Sequence, residues 1–592
     1  MSSFNDFNND QVAKLPKHLR QFIVEQHYEK YTPIDQAVWR YVMRQNYSYL
    51  KDVAYYPYIK GLQRAGLSIE YIPDLQTVND HLGKFGWGAV TVDGFIPPAA
   101  FMEYQAYRVL VIAADIRQIN HIEYTPAPDI IHESAGHAPI IAEPDYNNYL
   151  SYIGSIGSKA MFSAKDFELY EAIRNLSILK EAVDVTEEDI QTAEKHLQFI
   201  SENMGAPSEM ALLGRLHWWT VEYGLIGTVE NPKIYGAGLL SSIGESATCM
   251  ECDVAKVPYT IEAIEYVYDI TKPQPQLFVT PDFQHLISVL DQFAATMAFN
   301  VGGAEGILKA IACKNVATAV YSSGLQVTGI FTDLLTNIDN ELTFLKTTGP
   351  SALSIGNKQL EGHGKTYHKD GFSSPVGKIR GSVVPVEDLD FEELKSLTIK
   401  KGARADFYFE DGIHVNGIVK EIKNNGNKII LIVFEDCKVT APSGKILFDP
   451  DWGTYDMAIG AKIVSVFNGA ADKDAFEELV AVSDKQTHRI TFDEKTSALH
   501  VLYQEIRNIR ETRTEYEKLP QIAKSLAITY PTDWLCTLEI IELLHDLHVY
   551  SDLERELRCS LEHRAEKEPE HKKLITDGLK VINKTIKQSI TE

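Results

Sequence analysis

The string PAPDIIHESAGHAP, residues 126–139, gathers His132, Glu133 and His137 just after Pro128-Asp129 and just before Pro139. Imidazole and carboxylate are natural ligands for a borderline divalent metal. In the HExxH zinc peptidases the two histidines stand at i and i+4 on one helical face. Here they stand at i and i+5, which an ideal α-helix sets about 140° apart. Both reach one metal only where the helix is locally widened or one histidine sits at its end, and Gly136 would ease that distortion. The plainer alternative is a pair of structural histidines near a helix end.

Two histidines leave a metal site open, so a third ligand is expected from elsewhere. The helix ALLGRLHWWTVEYGLIG, residues 211–227, carries Glu222 among apolar and aromatic neighbours, with Trp218 at i−4 on the same face. A carboxylate so placed is costly unless it is paired or metal-bound. A salt bridge to Arg215 is one outcome. Convergence on the two histidines is the other, giving a 2-His-1-carboxylate triad of the kind that suits Fe(II) oxygenases.

Six strings in order then resemble one family: IPDLQTVNDHL (72–82), VDGFIPPAAF (92–101), YRVLVIAADIRQINHIEYTPAPDIIHESAGHAP (107–139), WTVEYGL (219–225), YGAGLLSSIGE (235–245) and FAATM (293–297). They are similar to the tetrahydropterin-dependent aromatic amino-acid hydroxylases, the phenylalanine, tyrosine and tryptophan hydroxylases, and cover about half the chain. The resemblance implies a mainly α catalytic domain of that type. It also implies an iron- and tetrahydropterin-dependent monooxygenase that uses O₂ to hydroxylate an aromatic amino acid, with phenylalanine to tyrosine the expected reaction.

The same resemblance assigns roles. His132, His137 and Glu222 match the iron ligands. Arg117 matches the arginine that pairs with the substrate's α-carboxylate, a task suited to a guanidinium fork, and Asp129 matches its acidic neighbour. Thr125, Gly238 and Ser241 match the amino-acid end of the pocket, and Pro128 and Trp218 match walls of the ring pocket. Phe101 matches the aromatic that stacks on the pterin, with Gly94 and Ile96 on the adjoining loop. Glu133 matches a catalytic carboxylate beside the pterin that does not bind iron. Ile270 falls where an apolar residue accompanies phenylalanine preference. His217 stands where the family usually carries a tyrosine or similar aromatic. The stretch from His137 to Glu222 is longer than usual around 160–205, an insertion that would cover the site, form a dimer contact, or do neither.

These residues need elements to position them. Residues 12–345 read as the catalytic domain, helical from 12 to 125 and again from the run MEYQAYRVLVIAADIRQIN onward. Residues 346–380 are rich in Gly, Ser, Pro and Lys and read as a linker or irregular loop. Residues 381–475 carry short β-branched runs with hairpin turns and read as a small β-rich domain. Residues 485–592 return to helical patterning. The β-rich and C-terminal helical units read as accessory or oligomerisation modules rather than a second catalytic activity.

At 592 residues the chain is long enough for several cores, and its net charge of −25 disfavours nucleic acid and anionic membrane as partners. The expected partner is a small aromatic amino acid, and a homo-oligomer stays open. No signal peptide or apolar run of spanning length is evident, so a cytoplasmic location is expected. Six cysteines form no disulfide framework, and the CxxC of Cys249 and Cys252 lacks a second pair, so ordinary helix cysteines are favoured over zinc. Two rivals weigh less. A zinc peptidase would show i,i+4 histidines, and a binding module that had kept the fold would show a damaged triad. Tryptophan or tyrosine hydroxylation is the alternative within the family.

Overall fold

A computed structural model describes residues 8–56, 58–123, 128–181, 185–270, 272–477 and 492–583. The chain builds three regions. The first is mainly helical and organised around Pro33–Val53, which starts at a Thr32/Asp35 capping box with proline at its first position. Its buried face, including Val38, Trp39, Tyr41, Val42 and Met43, sits in the largest hydrophobic core. Two small sheets brace this region. Gly88–Val92 pairs in parallel with Val109–Ala113. A second sheet runs in the order Asn231–Ile234, Leu225–Thr228, Gln276–Thr280, Ala255–Pro258. The run VLVIA, expected to continue a helix, is thus a strand. All five residues are buried, and a short apolar run buried on both faces has no period that separates strand from helix.

The second region is β-rich and begins earlier than the sequence suggests. Val316–Tyr321 and Leu325–Thr336 are strands within the stretch expected to be helical to 345. They continue antiparallel into Leu342–Ile355, with Ile463–Asn468 pairing the first of them from the far side. The expected linker at 346–380 is therefore largely structured: it holds most of a 14-residue strand, then Lys358–Gln359 and Ser373–Pro375 paired back onto it. Gly349-Pro350, which suggests a linker in sequence, sits where the register slips between Thr328 and Ile330. Glycine takes φ +74° there, and such an irregularity bends a strand without ending it. A second sheet orders Arg404–Tyr408, His414–Asn425, Lys428–Thr440 and Ile446–Phe448, with Tyr455–Ala458 also on the third strand.

The third region is helical, from Glu494–Thr512 to Pro569–Asn583. It does not stand apart. Tyr503, Ile506, Leu538 and Ile575 share the core that holds Trp39 and Val42. The Tyr41 hydroxyl donates to the Leu574 carbonyl at 2.6 Å. Buried Arg40 bridges Glu70, Glu539 and Glu542, and Arg510 joins Glu539 at 2.7 Å. Buried guanidinium and carboxylate groups tolerate burial because they are mutually paired. Among the described residues no helix is long and apolar enough to cross a membrane.

Candidate metal centre

Beyond Pro128 the backbone takes an expanded pitch, and Ile131–His137 is π-helical. A π turn links residue i to i+5, so side chains at that spacing return to one face. This is the widening that the histidine spacing demands. His132 and His137 meet edge to face, with ring centroids 5.2 Å apart. Gly136 supplies room: a Cβ there would lie 2.6 Å from the Ala237 carbonyl oxygen, so Ala237–Ser241 packs directly on the π turn.

A second π turn, Trp218–Glu222, follows the α-helix Glu209–His217 and carries Glu222 to the same place. Glu222 Oε2 lies 3.3 Å from His132 Nε2, and Oε1 lies 3.4 Å from His137 Nε2. Of the two outcomes the sequence allows, convergence is the one observed, because Arg215 turns its guanidinium to the Ile264 carbonyl at 2.6 Å. One ligand atom from each of His132, His137 and Glu222 lies within 4.8 Å of the others.

The surroundings select a proton state. Ser241 Oγ donates to the Ala237 carbonyl at 2.9 Å, so at 2.9 Å from His132 Nδ1 it accepts. His132 therefore donates from Nδ1 to Ser241, an anchor of the kind that orients a metal-binding imidazole, and turns Nε2 toward the Glu222 carboxylate, where a metal ion would displace the Nε2 proton. Burial pushes His132 down, but the Glu222 carboxylate outweighs it and lifts the imidazole to about 9. Burial likewise pushes Glu222 up, while His137 and His132 pull it well below the usual carboxylate range. Glu133 is raised, chiefly by burial. Burial holds His217 down to about 4.

Among the described residues three buried atoms here have no hydrogen-bond partner, His137 Nδ1, His137 Nε2 and Glu133 Oε2. His137 is 1% exposed, and an unmet buried acceptor costs about 1–3 kcal/mol. Two imidazoles and one carboxylate around an unmet nitrogen fit a divalent cation.

The sequence matches the family described as biopterin-dependent aromatic amino acid hydroxylase over residues 19–179 and 188–302. Similar proteins include the phenylalanine-4-hydroxylase of Chromobacterium violaceum, 27% identical over 295 residues, covering 48% of this chain and 84% of the relative. The phenylalanine-4-hydroxylase of Mesorhizobium japonicum is 28% identical over 269 residues, covering 45% and 81%. Among solved structures, Chromobacterium violaceum phenylalanine hydroxylase with bound iron(III) and 7,8-dihydrobiopterin aligns at 25% identity and TM-score 0.37, over 46% of this chain and 85% of that one.

Within the matched residues, Arg117 and Asp129 form a buried fork. Arg117 Nε donates to Asp129 Oδ2 at 2.8 Å and Nη2 to Oδ1 at 2.9 Å, while Nη1 donates to the Ile122 carbonyl at 3.2 Å. Asp129 Oδ1 also accepts from the His132 N–H at 3.0 Å, so the carboxylate arm and the π turn share one anchor. Part-buried Pro128 immediately precedes that anchor, and Thr125 lies outside the described residues. Ser241, expected at the amino-acid end of the pocket, is buried behind His132. Gly238 is needed because a Cβ would lie 2.9 Å from the Tyr223 ring.

Trp218 stacks on Tyr223 and on Tyr268, with centroids 4.6 and 4.3 Å apart. Buried Gln274 accepts from the Trp218 indole at 3.4 Å and donates to the carbonyls of Asp269 and Lys272, fixing the loop that bears half-exposed Ile270. Sequence reasoning did not single out Tyr268 or Gln274. Their only signal was aromatic and Gln-Pro content in YVYDITKPQPQ.

Gly94, at φ +63°, and Ile96 lie on the loop before the helix Pro98–Ala106, which carries Phe101. Ile96 and Phe101 pack on one apolar cluster with Val90, Val92 and Tyr104. Phe101 meets the His217 ring edge-on at 5.8 Å. The Gln105 amide nitrogen lies 3.2 Å from His217 Nε2, and His217 Nδ1 lies 4.0 Å from Glu222 Oε1. His217 therefore links the Phe101 helix to the Glu222 carboxylate.

The region expected as an insertion is mostly within the family match, which breaks only at 180–187. It forms the helices Ala164–Glu181 and Glu187–Glu202. The Tyr170 hydroxyl donates to the Phe95 carbonyl at 3.0 Å, tying the first helix to the Gly94–Ile96 loop. Cys249 is buried and Cys252 exposed, both unpaired.

Proposed function

We propose that this chain is an iron- and tetrahydropterin-dependent monooxygenase that converts L-phenylalanine to L-tyrosine with O₂. The carrying observation is the convergence of His132, His137 and Glu222 inside a region of the biopterin-dependent hydroxylase family. The substrate follows the relatives, which bear the name phenylalanine-4-hydroxylase, and the apolar Ile270. Its unpaired cysteines suit a reducing cytoplasm.

When bound, ferrous iron and the reduced pterin supply the activated oxygen and the two electrons that ring hydroxylation consumes. His132, His137 and Glu222 would hold the iron, their summed charge of one carboxylate leaving a divalent ion partly electrophilic. Ser241 keeps the His132 lone pair aimed inward. Among the described residues Arg117 donates three of its five N–H groups to Asp129 and Ile122, so one N–H on each Nη can serve the substrate carboxylate. Asp129 fixes the guanidinium plane and thereby the reach of the ring toward the metal. Glu133, whose carboxyl is pushed above the usual carboxylate range chiefly by burial, stands beside the site without joining the ligand set. Phe101 offers a face for the pterin, with the Gly94–Ile96 loop as its edge.

The test is purified protein with Fe(II), tetrahydrobiopterin and air, supplied separately with phenylalanine, tyrosine and tryptophan. Tyrosine formed from phenylalanine, faster than either other amino acid reacts, is the expected result. Three unreacted amino acids in iron-loaded protein would sink the reading.

A further inference from the structure

We propose that His363, His368 and Asp456 form a second divalent transition-metal site, inside the β-rich region and separate from the hydroxylase centre. The three residues are 5%, 6% and 6% exposed, and one ligand atom from each lies within 4.8 Å of the others. The two imidazoles present His363 Nδ1 and His368 Nε2 to each other at 3.3 Å. Two nitrogens bound at about 2.0–2.1 Å to a tetrahedral zinc ion stand about 3.3–3.4 Å apart, so the rings already span one edge of such a site.

The backbone holds them there. The His363 carbonyl accepts from the Leu353 N–H at 2.9 Å, and the His368 carbonyl accepts from the Ser351 N–H at 3.0 Å, pinning the turn to the strand Leu342–Ile355. The His368 N–H closes the turn on the Gly364 carbonyl at 3.1 Å. Asp456 arrives from the other sheet, on Tyr455–Ala458, opposite Val433. The ligands thus come from both sheets, and a metal here would clamp one to the other.

A plain His–His hydrogen bond is the competing account, and it leaves Asp456 unexplained. Asp456 Oδ1 is buried with no hydrogen-bond partner, although Tyr367 hydrogen-bonds to the same carboxylate. A carboxylate so placed is costly unless charge compensates it. Burial, aided at His363 by Lys423, disfavours the charged form of both imidazoles. Two imidazoles and one carboxylate select a borderline first-row ion such as Zn(II), Co(II) or Fe(II) over calcium or magnesium.

The full-length protein, stripped by chelator and reloaded with Zn(II) alone, is desalted and its zinc counted by mass spectrometry. Two equivalents are expected in the wild type and one in Glu222→Ala. None is expected in Glu222→Ala combined with Asp456→Asn or with His368→Asn, read beside circular dichroism of each apo-protein. An empty Glu222→Ala protein with native circular dichroism overturns the site, as does one equivalent surviving in both combined variants. A wild-type protein that holds no zinc, a result that asks no variant to fold, overturns it as well. Hydroxylase activity enters none of these readouts, so the site stands or falls apart from the proposed reaction.

Discussion

Two clusters of two histidines and one carboxylate lie in different regions of this molecule, and in each the histidines are five positions apart. In the helical region a π turn brings His132 and His137 together. In the β-rich region a tight turn pinned to a strand does the same for His363 and His368. Their proton states are opposite. Glu222, 3.3 Å from His132, lifts that imidazole to about 9 against the pull of burial. Around His363 and His368 burial wins and both fall to about 4, while Asp456 itself is pushed by burial up to about 6. Ligand composition alone therefore does not set the charge of a site. What sets it is whether an ionised carboxylate stands close enough to repay desolvation.

The strongest way to break this comparison is to remove the carboxylate from the helical site. Glu222→Ala is expected to lose its iron and to lower hydroxylation by about a thousandfold or more, in line with loss of a metal ligand set, with circular dichroism unchanged. Iron retained in full would strike Glu222 from the ligands.

Next comes pH. Because the His132 value is raised, the imidazole is protonated below about 9 and deprotonated above it, and a metal ion must expel that proton to bind. Metal affinity at the helical site should fall about tenfold per pH unit, or about a hundredfold from pH 9 to pH 7. The β-rich site, whose imidazoles are neutral throughout that range, should hold constant. Titrations with Co(II) in Asp456→Asn and in Glu222→Ala separate the two, and equal slopes would erase the contrast drawn above.

Arg117→Lys keeps a positive charge beside Asp129 but replaces a planar fork with a single point. The KM for phenylalanine should rise about 10- to 100-fold, an amount typical of a lost charge-assisted pair, with a smaller change in kcat. An unchanged KM removes Arg117 from substrate binding. The smallest effect belongs to Ser241→Ala, which frees the His132 ring without touching a ligand. Iron affinity should drop about tenfold, the low end for loss of an orienting partner, and an unaltered dissociation constant would show that the ring is held otherwise.

Some of this could be read directly from residue order. The i,i+5 spacing of His132 and His137 already demanded a widened helix, and an acidic residue among apolar neighbours marked Glu222 as needing a partner. Both inferences are local, because they follow from how far apart a helix of given pitch sets its side chains. The run VLVIA misled because a five-residue apolar stretch carries no period. Gly349-Pro350 misled because glycine and proline serve a strand irregularity as readily as a linker.

Tyr268, Gln274 and His217 acquire meaning only through contacts across long loops, since stacking on Trp218 or reaching Glu222 depends on where other elements lie. Nor did sequence reasoning set the C-terminal helices against Pro33–Val53, where Arg40 meets Glu539 and Glu542.

The amino-acid sequence by itself determined the candidate ligands of the helical site and the local helix geometry that two of them require, because spacing along one backbone is a one-dimensional property. Only the tertiary structure decided that Glu222 turns to the histidines rather than to Arg215 and that Asp456 stands beside His363 and His368, and with it the charge each site carries. Burial and the distance to an opposite charge set that balance, and both are properties of the assembled core.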